Sequence, residues 1–158
     1  MTYDPATVTD VEFRVRRLIL ALLAFGLAGL GAELAAIGHY EDFWQVVPVT
    51  LLAATLVVIA WHFFAGGATG LAVLQVLLVL LIASGGMGIF LHYQANLEFQ
   101  LDVNPDLRGW ELFARVIHAI APPSLAPGVM AQLGLLGLIY TYRHPARRIQ
   151  TAVAEKQN

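Results

Sequence analysis

Long apolar runs separated by short polar segments dominate the chain. Four of the runs have about the length of a helix that crosses the hydrocarbon core of a bilayer, which takes about 20 residues. They predict membrane spans at about 18–38, 43–64, 71–91 and 125–142. None of the four carries the polar face at 3.6-residue spacing that is typical of a helix in a soluble domain. The pattern therefore predicts an all-α integral membrane protein.

The links between the first three runs are very short. Residues 39–42 read HYED, and residues 65–70 read AGGATG. Links of this length join antiparallel neighbours, so we expect a four-transmembrane-helix up-down bundle.

The third link begins at His92 and is much longer than a hairpin needs. Within it, Trp110, Phe113 and Ile117 recur at helical spacing and form an apolar stripe. We therefore expect an additional amphipathic helix at about 107–120, between the third and fourth spans. This helix either lies in the periplasmic membrane–water interface or caps the bundle.

Composition and charge support a membrane protein and predict its orientation. Of the 158 residues, 58% are hydrophobic and only 13% are charged, against about a quarter charged in soluble domains. The basic motif RVRR at 14–17 precedes the first span and a second basic group follows the fourth, whereas the opposite side carries mostly acids. Because basic residues concentrate on the cytoplasmic side, we expect a multi-pass protein of the inner membrane with both termini in the cytoplasm.

The predicted organisation is a cytoplasmic tail at 1–12, a single four-span domain at 13–142 and a basic cytoplasmic tail at 143–158. The first span lacks a clear small-x-small cleavage site at its end, so we expect it to be retained rather than removed as a signal peptide.

Several kinds of chemistry are excluded by what the sequence lacks. The chain contains no cysteine, so disulfides and thiolate ligands are absent. It has no glycine-rich nucleotide loop followed by lysine and no serine nucleophile elbow. The sequence also lacks a basic patch with aromatic residues, which would indicate a nucleic-acid partner. The sequence therefore indicates no particular enzyme activity, and the lipid bilayer is the expected surrounding.

Glu33 is the one carboxylate inside a predicted span. It lies roughly 22 Å beyond the start of the first run, at 1.5 Å per residue. A carboxylate is costly at that depth, so we expect its side chain to face the bundle interior and to have a partner. It would serve either as a hydrogen-bonded link between helices or as a group that handles a ligand, a proton or an ion.

Two His-Tyr pairs, at residues 39–40 and 92–93, fall on the predicted periplasmic side. Histidine together with carboxylates suits Zn, Mn, Fe or Cu(II). We therefore predict a site for a divalent transition metal, for handling, sensing or redox use. The candidate ligands are His39, His92, Glu98 and His118. The polar groups expected around them are Glu33, Glu41, Tyr93 and Glu111.

Two other interpretations remain open. In the first, the histidines belong to an ordinary interfacial belt, and the protein is a non-catalytic accessory or assembly subunit of a larger membrane complex or a homo-oligomer. In the second, the protein is a b-type haem protein or another outer-face membrane enzyme. His39 and His92 would hold the haem, with SGGMG at 84–88 making room, although close helix packing explains these glycines more simply. We expect the two remaining histidines, His62 and His144, to lie at the inner membrane boundary.

Overall fold

The computed structural model describes residues 5–65, 67–119 and 125–146, and within them it contains helices and turns but no strand. The helices are α1 (Pro5–Ala36), α2 (Phe43–Ala65), α3 (Gly67–Val103), α4 (Gly109–Ile117) and α5 (Leu125–Thr141). By length and composition, α1, α2 and α3 can each cross a membrane, whereas α5 is apolar but shorter. The prediction of an all-helical protein with long apolar helices is confirmed, and the fourth crossing stays a prediction.

Buried leucines at alternating spacings of three and four residues form the core. On α1 the buried positions are Leu20, Leu23, Leu27, Leu30 and Leu34. On α3 they are Leu71, Leu74, Leu78, Leu81 and Gly85. This heptad spacing keeps one seam of each helix facing its neighbours in a left-handed bundle. The remaining faces expose large apolar side chains, as expected for helices surrounded by lipid.

The most extensive helix contact joins α3 and α5, which run antiparallel. The two helices approach closely because glycine has no side chain at the contact. A methyl group added to Gly85 would lie 2.6 Å from the Pro127 carbonyl oxygen and 2.9 Å from the Ala131 methyl. A methyl group on Gly134 would lie 2.6 Å from the Ile82 side chain. The SGGMG motif therefore contributes to close helix packing.

Helix α3 extends well past the predicted end of its span at residue 91. The antiparallel register in which Gly85 faces Ala131 places Leu91 level with the first residue of α5. Residues 92–103 therefore project beyond the bundle by about 17 Å, at 1.5 Å per residue. The first part of what the sequence suggested as a long link, residues 92–103, is a continuation of a helix.

Helix α4 folds back along this projection. After the turn at Asn104, the side-chain amide of Asn96 donates a hydrogen bond to the Val116 carbonyl (3.4 Å), near the end of α4. Leu107 and Val116 are buried in the contact. Among the described helices, α4 packs only against α3. The predicted amphipathic helix therefore exists with shorter bounds, and it forms a helical hairpin with α3, which we call the projecting hairpin (residues 92–117).

Other boundaries also differ from those predicted. Helix α1 begins at Pro5, so much of the predicted polar tail is helical. Gly67, which starts α3, has a left-handed φ of 90°, and this tight turn replaces most of the predicted AGGATG link. Of the predicted basic tail, only residues 143–146 are described.

Candidate functional site

The turn after α1 directs His39 over the end of the bundle. Gly38 has a left-handed φ of 72°. The His39 N–H donates to the Leu34 carbonyl (2.9 Å), and the Gly38 N–H donates to the Ala35 carbonyl (3.2 Å). These two bonds form a Schellman motif, in which a glycine can adopt the left-handed conformation without a Cβ clash. The first His-Tyr pair therefore follows a helix end, whereas the second lies inside α3.

His39 stacks on His92 of α3. Their ring centroids are 6.2 Å apart and their planes differ by 19°. Burial lowers the pKa of His39, the neighbouring His92 lowers it further, and Asp42 acts in the opposite direction. A lowered pKa favours the neutral imidazole, which is the form that binds a metal ion. The structure therefore brings together two of the four predicted ligands.

The other two predicted ligands do not join this pair. Glu98 is exposed on α3, about 9 Å further along the helix than His92. His118 directly follows α4, and its Nδ1 lies 2.8 Å from the Ala114 carbonyl oxygen, so its ring closes the end of its own helix. Among the residues that the structure describes, no three His, Asp or Glu side chains are arranged to hold a metal ion. The four-ligand site is not assembled within a single chain.

Several polar groups near the pair have local structural roles. Asp42 caps α2, because its Oδ1 accepts a hydrogen bond from the Gln45 N–H (3.0 Å). The Gln45 Oε1 in turn accepts one from the Glu41 N–H (3.0 Å), much as in a capping box. Glu111 forms an ion pair with Arg115 (2.9 Å). Of the expected surrounding groups, Tyr93 is half-buried in α3, and the Glu41 side chain is exposed.

Glu33 is exposed on the surface of α1, so the prediction that it faces the bundle interior is wrong. The buried seam passes through Leu30 and Leu34, which are 6% and 5% exposed, and Glu33 lies beside that seam. No hydrogen bond or ion pair joins its carboxylate to any residue that the structure describes. One turn earlier, nothing lies within 4 Å of the position that a Cβ on Gly29 would occupy. Within this chain, the surface around Glu33 is open.

A second polar cluster lies at the opposite end of the bundle, where α1 begins and α5 ends. His62 of α2 is only 6% exposed, and its Nε2 lies 2.9 Å from the Tyr140 hydroxyl. The His144 ring centroid lies 5.4 Å from that of His62 and 5.2 Å from that of Tyr140. The His62 ring is buried between helices, and its position at the inner membrane boundary stays a prediction. We call Arg16, His62, Tyr140 and His144 the termini-end cluster.

Arg16 connects the first and last helices in this cluster. Its Nη1 donates hydrogen bonds to the carbonyls of Tyr140 (2.7 Å) and Tyr142 (3.1 Å). Its Nη2 forms an ion pair with Glu12 (2.7 Å). The last carbonyls of a helix have no partner within the helix, so this side chain of α1 supplies donors that α5 cannot supply itself.

One nitrogen of the termini-end cluster has no polar partner, because the Nδ1 of His62 is buried without a hydrogen bond to any described residue. A Cβ added to Gly70 would lie 3.5 Å from this nitrogen, which is an ordinary contact distance. Burial lowers the pKa of His144, and His62 and Arg16 lower it further. The hydrogen bonds and ring contacts of the cluster join α1, α2 and α5.

The heptad spacing of the spans could have revealed this cluster. On α2 the buried positions are Leu52, Thr55, Ile59 and His62. On α5 they include Met130, Leu133, Gly137 and Tyr140. Both series follow the spacing of three, four and three residues that marks the leucine seams of α1 and α3. His62 and Tyr140 are therefore seam positions, and a seam position faces a neighbouring helix whatever its side chain.

Two of the three glycines of residues 84–88 pack against α5, whereas Gly86 faces away from the bundle. The space next to Gly85 is filled by Pro127 and Ala131, and a Cβ on Gly88 would lie 3.0 Å from the Pro127 side chain. Comparison of the chain with protein-family models, with curated proteins and with solved structures finds no match.

Proposed function

We propose that the protein is a non-catalytic subunit of a larger membrane assembly, in which another transmembrane helix covers the Glu33 face of α1. In this proposal it crosses the inner membrane four times and keeps both termini in the cytoplasm. The observation that carries the proposal is the exposed, unpartnered carboxylate of Glu33 on an apolar helix.

The depth of Glu33 makes its exposure costly. The apolar run of α1 continues to Ile37, so Glu33 lies about 6 Å inside its end, at 1.5 Å per residue. Ionisable residues in transmembrane helices almost always face other helices or a polar cavity, and insertion of a charged one at a helix centre costs about 2.5–3.5 kcal/mol. The described part of this chain offers no such partner. A neighbouring helix that donates a hydrogen bond to the carboxylate would offset much of the cost.

The same face of α1 is shaped for a close helix contact. Gly29, Ala32 and Ala36 are exposed beside Glu33, and small residues let transmembrane backbones approach one another. Gly26 provides a contrast within the same helix, because a Cβ there would lie 2.5 Å from the Leu133 side chain of α5. The chain's own packing uses Gly26 and leaves Gly29 open.

The projecting hairpin supplies a second exposed surface. Trp110 is 78% exposed, and its ring centroid lies 5.3 Å from that of Phe113, which is also exposed. Aromatic residues are enriched in protein–protein interfaces. Because this hairpin extends beyond the bundle, its aromatic pair is suited to contact a partner outside the hydrocarbon core.

The test is the size of the particle in a mild detergent. Wild-type protein, solubilised from a membrane of its natural host, should migrate as a complex in size-exclusion chromatography with light scattering. Glu33→Leu should shift it toward the single chain, whereas Glu33→Gln, which keeps a hydrogen-bonding amide, should retain the complex. Asp10→Leu makes a comparable change on an exposed carboxylate of α1 outside the apolar run, and it should leave the particle unchanged.

The proposal would be refuted by a wild-type protein that is a bare monomer both in the detergent extract and after chemical cross-linking in intact membranes. It would also be refuted by a complex that survives Glu33→Leu as well as it survives Asp10→Leu.

A metal-binding role remains a second candidate, because the structure pairs His39 with His92. Two imidazoles are fewer than the three or four ligands that a protein metal site needs. The missing ligands would have to come from water or from another chain of the same assembly. Exposed Glu41, two residues after His39, is the nearest carboxylate in sequence without a capping role.

Metal content of the purified protein tests this candidate. A stoichiometric transition metal that is lost in His39→Ala and in His92→Ala, and kept in His118→Ala, would support a site at the stacked pair. Loss in all three variants would restore the wider site predicted from the sequence. If the wild-type protein contains no metal after purification in chelator-free buffer, the metal-binding role is excluded.

A further inference from the structure

An open, shallow pocket lies at the start of the apolar part of α1. It is lined by Arg14, Arg17 and Leu18 and encloses about 390 Å³. Both arginines are exposed. They lie within about 6 Å of Leu18 along the helix axis, where the apolar run begins, and therefore at the level of lipid headgroups.

The charges of these two arginines are not neutralised by the described part of the chain. Arg16, between them in sequence, pairs with Glu12 and with helix carbonyls. Arg14 and Arg17 have no such pair among the described residues, and the Arg17 guanidinium lies over the ring of Phe13, 5.7 Å from its centroid. Two guanidinium groups one helical turn apart present a set of donors that matches the oxygens of a phosphate.

An apolar stripe continues from the two arginines along the same face of α1. Leu18, Leu22 and Phe25 are 69%, 58% and 78% exposed, and their spacing of four and three residues keeps them in line with Arg14. A ligand that fits this surface has an anionic phosphate at one end and a hydrocarbon chain at the other.

We propose that Arg14 and Arg17 bind the phosphate of an anionic phospholipid whose acyl chain lies along Leu18, Leu22 and Phe25. The proposal is independent of the Glu33 interface, which lies at the other end of α1. Arginine near an anionic lipid surface strengthens binding by about fivefold per residue, so the pair accounts for about 30-fold.

Lipid titration of delipidated protein in detergent tests the proposal. Native mass spectrometry would count bound phosphatidylglycerol for wild type, for Arg14→Gln/Arg17→Gln, and for Arg108→Gln/Arg115→Gln as a control that removes the same charge from the projecting hairpin. Far-UV circular dichroism would verify that all three are folded. We expect the first variant to bind phosphatidylglycerol about 30-fold more weakly and the control to bind it as wild type does.

Two further titrations identify which part of the lipid the protein recognises. Phosphatidylcholine should bind wild type and both variants alike, because its headgroup is zwitterionic. Inorganic phosphate at the same concentration should not compete, because it lacks the acyl chain. Equal losses in the two double variants would overturn the proposal, since net charge alone would then explain binding. Binding of phosphatidylglycerol no tighter than that of phosphatidylcholine, or full competition by inorganic phosphate, would also overturn it.

Discussion

Gly85→Ala adds one methyl group at a point where α3 lies directly against the backbone of α5. The new Cβ would lie 2.6 Å from the Pro127 carbonyl oxygen, 2.9 Å from the Ala131 Cβ and 3.0 Å from the Ala131 nitrogen, whereas ordinary contact begins at 3.4 Å. The oxygen and the nitrogen belong to the backbone, so they cannot rotate away. The two helices must therefore separate locally by about 0.8 Å, the difference between 3.4 and 2.6 Å.

The effect of Gly85→Ala on stability is the sum of a packing cost and a gain in helix propensity. A gap of 0.5–1 Å forfeits roughly a quarter to a half of the dispersion energy across the contact, and overpacking of a core costs about 1–3 kcal/mol. Alanine favours a helix by about 1 kcal/mol relative to glycine, which offsets part of this cost. Gly86→Ala is the matched control, because Gly86 is exposed and has nothing within 4 Å of its Cβ position. The helix-propensity terms cancel between the two variants, so Gly85→Ala should be less stable than Gly86→Ala by about 1–3 kcal/mol.

Reversible unfolding in mixed micelles, followed by circular dichroism as the fraction of dodecyl sulfate is raised, measures this difference. Gly85→Ala should unfold at a lower fraction of dodecyl sulfate than wild type, and Gly86→Ala at the same or a higher fraction. Equal midpoints for the two variants would refute the conclusion that α3 and α5 meet backbone to backbone at Gly85.

The same unfolding assay tests the termini-end cluster in three further ways. Tyr140→Phe should cost about 1–3 kcal/mol, because the buried Nε2 of His62 loses its partner; an unchanged midpoint would contradict that hydrogen bond. Arg16→Gln should cost about 1.5–3 kcal/mol through the lost charged hydrogen bonds to α5, whereas Arg14→Gln should have a much smaller effect. The pKa of His144 is lowered from 6.5 by folding, so the unfolded state binds the proton more readily. The stabilising contribution of His144 is therefore present above about pH 6.5 and is lost as the pH falls toward the folded-state pKa. Wild type should lose stability over that window, and His144→Gln should lose less; an equal loss would place the pH dependence elsewhere.

The sequence predicted the long apolar helices because apolar length is a property of each helix alone. Helix α2 begins at the expected residue. The end of α3 was missed, because residues 92–103 contain charged and polar groups and no strong breaker before Asn104 and Pro105. Polarity ends a membrane span without ending a helix.

The candidate site was predicted only where chain topology sufficed. His39 and His92 meet because the turn after α1 and the continuation of α3 lie at the same end of the bundle. The positions of Glu98 and His118 depended on how far α3 projects and on how α4 returns, and neither is encoded in residue spacing within one segment. The heptad pattern of α1 indicates that Glu33 faces outward, because Glu33 lies off the buried seam. The cost of exposing a carboxylate to lipid predicted an inward side chain instead.

The hydrogen bonds of Arg16 set a constraint on the order of assembly during synthesis. This side chain and the Tyr140 carbonyl that it caps are 124 residues apart. At synthesis rates of about 5–20 residues per second, α1 precedes its partner by roughly 6 to 25 s. During that interval the guanidinium must be held by Glu12, lipid phosphate or water, and the bundle closes only when the final helix arrives. Transfer of the Arg16 donors from lipid phosphate or water to the carbonyls of α5 is thus a late step, in which the Glu12 ion pair is kept, and it couples the insertion of α5 to the position of α1.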